Sequence, residues 1–197
     1  PSSKEISIKL IIIYVILTLL CSFSYKFFGM NIFDSLTHSM TTIATGGFSN
    51  YNESIGYFDN VKIELTAIFF IILGSIPFIA YIKFISGNKK IFLSDSQIKT
   101  FIKLIILSIV ILFCYLLIKD NDFSLSNIRS VSFNVISILT GTGYVTQGFD
   151  KWGSFPLFYF LILMFIGGCA GSTTCGVKIF RIQILYKFII NQLKKVI

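Results

Sequence analysis

The sequence predicts an all-α integral membrane protein built from two tandem, parallel units. Three observations carry this. Of its 197 residues, 54% are hydrophobic and 13% charged, against about 45–50% and about 25% for soluble domains. Several apolar runs approach the ~20 residues needed to cross a hydrocarbon core. One pattern occurs twice at a spacing of 96 residues: an apolar span, a short helix, a glycine pair or near-pair, and a second span.

Residues 6–28 read as the first span, flanked by Lys4 and Lys9. Residues 33–44 are too short to cross and read as a re-entrant pore helix, with Asp34 or Ser35 as the expected N-cap. Thr45-Gly46-Gly47-Phe48-Ser49 then leaves the helix, because the glycine pair does not continue it. Residues 61–85 form a second span, with a kink expected at Pro77. These elements make the first unit, 1–90. The second unit, 91–197, opens with a short connector and a span at 100–118. A pore helix at 127–139 follows, then Gly141-Thr142-Gly143-Tyr144-Val145. Its last span, 155–190, is broken after 12 residues by Gly167-Gly168-Cys169-Ala170-Gly171-Ser172-Thr173-Thr174-Cys175-Gly176. A shift of 96 places Ile6 on Ile102, Gly47 on Gly143 and Val61 on Leu157, so one offset aligns entry span, glycine segment and exit span.

Charge gives the orientation. Segments 1–9, 83–103 and 178–197 hold two, five and five basic residues, twelve of the seventeen. That side is expected to be cytoplasmic. Both glycine segments then enter from outside, where Asp34, Glu53, Asp59, Asp120, Asp122 and Asp150 are expected to draw cations towards the mouth. Lys178 and Arg181 are expected to mark the inner interface by snorkelling.

The chemistry expected of the glycine segments is cation coordination. A dehydrated cation needs its water shell replaced, and rows of backbone carbonyls do this in potassium filters. Aligning successive carbonyls requires left-handed backbone steps, which glycine tolerates. The filter backbone is expected at Thr45, Gly46, Gly47, Phe48, Gly141, Thr142, Gly143 and Tyr144, with K+ held at Thr45, Gly46, Gly47, Thr142 and Gly143. The preceding helices aim C-terminal ends, each worth about half a negative charge, at that path. The ten residues from Gly167 to Gly176 are expected to form an intramembrane gate loop below it.

Other classes find little support. No basic run is interleaved with aromatics in a soluble context, which argues against nucleic acid. There is no H-E-x-x-H, P-loop, G-x-G-x-x-G or Ser/His/Asp arrangement, and the lone His38 reads as structural. The reading is therefore not an enzyme. Cys21, Cys114, Cys169 and Cys175 lack metal spacing and read as small buried hydrophobes. A carrier with a midplane site predicts inverted repeats, whereas these repeats are parallel. A sodium- or proton-coupled carrier (symport) and a non-conducting subunit remain the alternatives. Residues 1–5 do not read as an initiator region or signal peptide, so an internal piece of a longer chain is expected.

Residues Thr37-His38-Ser39 and Ile43-Ala44-Thr45-Gly46-Gly47-Phe48-Ser49, continuing to Ser54-Ile55-Gly56-Tyr57-Phe58, closely resemble the second pore region of the Trk system potassium uptake membrane subunits (TrkH-like, in the Trk/Ktr/HKT superfamily). Phe165-Ile166-Gly167-Gly168-Cys169-Ala170-Gly171-Ser172-Thr173, followed by Lys178 and Arg181, resembles that family's third-repeat gate loop. The resemblance implies a potassium pathway in the bacterial cytoplasmic (inner) membrane, enclosed by four repeats. This chain would supply the second and third, with Gly47 and Gly143 as central filter glycines. It also implies the remaining two pore repeats, a homodimer, and a cytoplasmic nucleotide-binding regulatory subunit as partners, besides the lipid bilayer. No bound cofactor is implied beyond K+ as cargo. The chain departs from the family at Gly141, where threonine is usual. It departs again at Ser172-Thr173-Thr174-Cys175-Gly176, where the family usually runs Ser-Thr-Gly-Gly-Gly. The loss of two glycines is expected to stiffen the loop.

Overall fold

Long runs of Ile, Leu and Phe form helices because a backbone in lipid must satisfy its own polar groups. The computed structural model describes residues 3–120 and 124–196 and is all-helical apart from loops and one isolated bridge, Ile166 to Val177. The acid expected at Asp122 lies outside the described residues, as does the side chain of Asp120.

Helix α1 (Ser3–Phe27) and the short helix α2 (Ile32–Ile43), the expected pore helix, open the first unit. Helices α3 (Val61–Ser75) and α4 (Phe78–Ile85) close it. A single turn, α5 (Ile91–Ser94), leads to α6 (Ser96–Asp120) and the second expected pore helix, α7 (Leu125–Leu139). Helices α8 (Ser154–Met164) and α9 (Ile179–Val196) flank the glycine-rich loop. With 25 residues each, α1 and α6 are long and apolar enough to span a membrane: 25 residues extend about 37 Å, beyond a core of about 30 Å. Their exposed faces carry Ile11, Ile16, Leu19, Phe23, Ile106, Leu107 and Val110, as expected of lipid-facing surfaces.

Two expectations change. The N-cap of α2 is Asn31, not Asp34 or Ser35: the Asn31 side-chain Oδ1 accepts the Asp34 N–H at 2.7 Å, while its Nδ2 donates to the Asp34 carboxylate, also at 2.7 Å. The break near Pro77 is no simple kink. Helices α3 and α4 meet at 85°, because Pro77 has no N–H to continue α3 and drives the preceding Ile76 out of the helical region, to φ −83°, ψ 147°.

The units pack through their interiors. Tyr25, Phe101, Phe133, Tyr144 and Phe160 are wholly enclosed. An ion pair of 2.7 Å joins Glu64 of α3 to Arg129 of α7. The pore helices end 96 residues apart, at Ile43 and Leu139, so the offset read in the sequence holds at the element that positions each glycine segment.

Candidate functional site

Each pore helix ends in the same hydrogen-bond pattern. The Gly46 N–H donates to the Thr41 carbonyl at 2.8 Å, and its counterpart Thr142 donates to Ser137 at 2.8 Å. Thr41 and Ser137 then use their hydroxyls on the chain that comes back: Thr41 Oγ1 donates to the Phe48 carbonyl at 3.0 Å and Ser137 Oγ to the Tyr144 carbonyl at 2.7 Å. Between these two ties the backbone turns left-handed twice, at Thr45 (φ 50°) and Gly47 (67°), and again at Gly141 (71°) and Gly143 (84°).

This pattern divides the expected ligands. The carbonyls of Phe48 and Tyr144 are held by pore-helix hydroxyls. Those of Thr45, Gly46, Gly47, Thr142 and Gly143 accept no hydrogen bond among the described residues. The Gly141 carbonyl faces the Cys175 thiol at 3.7 Å. The two segments touch, since the backbone at Gly47 lies hard against the Thr142 carbonyl. Above them opens a cavity of about 590 Å³, whose lining includes Gly47, Ser49, Glu53, Gly143, Val145 and Gln147.

The two aromatics behave differently. The Phe48 side chain is 78% exposed, whereas Tyr144 is 0% exposed and wedged against the first pore helix. The Tyr144 hydroxyl donates to the His38 carbonyl at 3.1 Å and also pairs with Thr41 Oγ1. Thr41 and Thr42, absent from the expected site, are therefore the seat of this wedge. Their only signal in the sequence was a pair of hydroxyls on a short amphipathic helix. His38 is structural, with Nδ1 on the Asp34 carbonyl and Nε2 on Ser49 Oγ, both at 2.9 Å.

The loop from Gly167 to Gly176, the expected gate, is folded and tied at its base. Gly167 N–H donates to the Val177 carbonyl and Val177 N–H to the Phe165 carbonyl, each at 2.9 Å. Its irregular backbone is satisfied by the other broken helix. Cys169 N–H donates to the Ser75 carbonyl, Thr173 N–H to the Gly74 carbonyl, and Phe78 N–H to the Gly171 carbonyl. The break between α3 and α4 is thus the socket for the loop, a role that Gly74 and Ser75 did not reveal in the sequence. Thr174 stiffens the loop from within: its hydroxyl accepts from Gly168 N–H at 3.0 Å and pairs with Ser172 Oγ at 2.9 Å. Lys178 is not simply snorkelling. Its ammonium turns onto the Thr174 carbonyl and hydroxyl. Nor are all four cysteines buried, for Cys114 and Cys175 are exposed.

The family model described as TrkH, cation transport protein, matches residues 1–197, the whole chain. The chain belongs to the TrkH family. It is 34% identical over its full length to the Trk system potassium uptake protein TrkI of Halomonas elongata, and 35% identical to TrkH of Escherichia coli K12. It spans 40% and 41% of those proteins. The crystal structure of the potassium transporter TrkH from Vibrio parahaemolyticus superposes with a TM-score of 0.93 at 33% identity, over 98% of this chain and 42% of that one. The TrkH-family chain carries two helices, α1 and α6, long and apolar enough to cross a membrane.

Within this TrkH-family chain one outer acid has a structural task. Asp34 is buried; burial opposes its charge, but hydrogen bonds from Asn50, Tyr51 and Asn31, with His38 nearby, hold its carboxyl below the ordinary 3.8. The same contact with Asp34 pushes the Tyr51 hydroxyl up to about 12. A depressed carboxyl stabilises the fold fully above its unfolded value and loses that contribution as pH falls through the folded value. Asp34→Asn should therefore flatten the fall of the melting temperature of the parent protein below about pH 4. An unchanged acid limb would refute the network.

Proposed function

We propose that this chain forms part of a pore for potassium uptake across the cytoplasmic membrane, its two glycine segments being two quarters of a carbonyl-lined filter. One observation carries the reading: five carbonyls, at Thr45, Gly46, Gly47, Thr142 and Gly143, have no protein partner among the described residues, while hydroxyls hold the flanking Phe48 and Tyr144 carbonyls away. Oxygens held out in this way suit a cation that has lost its water, and the pore-helix ends add negative potential. The relatives' names point to potassium as that cation. The chain spans about 40% of their length, which fits two further repeats closing the pore. The loop between α8 and α9 sits at the inner end of the segments and acts as the gate. A homodimer and a cytoplasmic nucleotide-binding subunit complete the assembly by family resemblance.

Gly143→Ser in the parent protein tests the filter. No heavy atom lies within 4 Å of the added Cβ, so the cost is limited to the left-handed backbone, φ 84°, about 1–2 kcal/mol, while the hydroxymethyl enters the path. Selectivity for Rb+ or K+ over Na+ should fall by about tenfold, roughly 1.4 kcal/mol. Wild-type selectivity in a folded variant would sink the assignment.

A further inference from the structure

The gate loop meets the filter at the same position in both units. Thr45 and Gly141 stand 96 residues apart, with matching left-handed backbones, at the inner end of each segment. In the first unit the side chain is present. Thr45 Oγ1 lies 3.4 Å from Thr173 Oγ1, which also donates to the carbonyls of Ile43 at 2.8 Å and Gly74 at 3.1 Å. In the second unit the side chain is missing and the loop fills its place. A Cβ on Gly141 would fall 2.0 Å from Cys175 Sγ, and the thiol donates to the Gly141 carbonyl at 3.7 Å. Thr173 and Cys175, two residues apart, each meet the inner end of one glycine segment. Thr174, between them, turns into the loop, where its hydroxyl is engaged by Gly168 and Lys178.

We propose that the loop is latched to the filter by two feet, Thr173 on Thr45 and Cys175 on Gly141, and that Gly141 and Cys175 are a matched pair whose separation opens the path. The pairing deepens the filter-and-gate reading above and rests on it. A glycine at 141 makes room for the sulfur, and the sulfur covers the carbonyl that the glycine leaves bare. Hydrogen bonds to thiols are weak, so the second foot is the easier to lift.

A double-mutant cycle in the full-length parent protein, reconstituted in liposomes, tests this. Gly141→Thr places at 141 the residue that Thr45 carries with the same backbone, and it evicts the sulfur. Cys175→Gly removes the sulfur. Each should raise basal Rb+ uptake by about 2- to 10-fold, the span expected for losing one weak contact. The double variant should exceed neither single, since all three break one contact. Unchanged or reduced uptake in both singles, or a double equal to the product of the singles, overturns the latch. A second readout needs no transport. In a Cys114→Ser background, Gly141→Thr should speed alkylation of Cys175 by monobromobimane; an unchanged rate overturns the pairing. Failure of the filter reading would show separately, as wild-type selectivity in Gly143→Ser, with the alkylation result standing on its own.

Discussion

Gly47→Ser should damage the parent transporter more than the same change at Gly143, costing it fold stability as well as selectivity. The two glycines are counterparts, yet their surroundings differ. At Gly143 an added Cβ meets open space, whereas at Gly47 it would lie 1.8 Å from the Thr142 carbonyl oxygen and 2.8 Å from the Thr142 carbonyl carbon. Both atoms are backbone, so no rotamer change relieves the contact. The strain of a left-handed L-residue, about 1–2 kcal/mol, falls on both variants, since φ is 67° at Gly47 and 84° at Gly143. Overpacking at a site that cannot yield adds about 1–3 kcal/mol. The two glycine segments must part, and the free carbonyls of Gly46, Gly47 and Thr142 part with them. Purified Gly47→Ser protein should melt below both wild type and Gly143→Ser, and should lose Rb+ uptake or its preference over Na+. Equal melting temperatures for the two serine variants would show that the segments do not bear on each other as described.

What was legible in the sequence was whatever depends on local pattern. The 96-residue offset needed only hydropathy and glycine, and it reappears in detail: Thr41 and Ser137 make the same two hydrogen bonds, and the left-handed positions coincide. The long spans and short pore helices were likewise visible from run length. What escaped depends on residues far apart in the chain. Gly74 and Ser75 read as one side of a proline kink. Their role as the socket for Cys169 and Thr173 appears only when segments about a hundred residues apart are brought together. Lys178 had the composition of an interfacial lysine, and only the folded loop offers it the Thr174 carbonyl. The cap on α2 was missed for a smaller reason: Asn31, Asp34 and Ser35 are all good capping types, and three candidates in five residues leave the choice to the tertiary bonds that Asp34 makes with Asn50 and Tyr51. The repeat also hides asymmetry. The counterpart of His38 is Asn134, buried, with no hydrogen bond to its amide among the described residues, because the partner hydroxyl of Ser49 is replaced by Val145.

The same asymmetry makes Tyr144 the residue whose loss should travel furthest. It belongs to the second glycine segment but is anchored in the first unit. Its hydroxyl reaches the His38 carbonyl and Thr41 Oγ1, its ring lies 6.2 Å from that of His38, and its own carbonyl is held by Ser137. Thr42, beside this seat, is in turn bonded to the Tyr25 hydroxyl of α1 at 2.9 Å. Tyr144→Ala removes a wholly buried ring and should cost about 3–5 kcal/mol, the range for aromatic truncation in a core that closes only partly. Tyr144→Phe keeps the ring and drops the hydroxyl, for about 1 kcal/mol. The hydroxyls it leaves keep other acceptors: Thr41 Oγ1 still has the Phe48 carbonyl, and Thr42 Oγ1 the His38 carbonyl at 2.6 Å. Selectivity should follow the ring and not the hydroxyl. With phenylalanine the second segment stays pressed on α2 and the carbonyls of Thr142 and Gly143 keep their place; with alanine the anchor on α2 is gone, and only Ser137 and the bonds of Val145 to Ser54 and Gly56 still hold that stretch. Melting curves and Rb+-against-Na+ uptake of the two variants separate these cases. If alanine is no worse than phenylalanine in either measurement, the wedge between the units does not hold the glycine segments together, and the Gly47–Thr142 contact with the bonds of Val145 to Ser54 and Gly56 must do so.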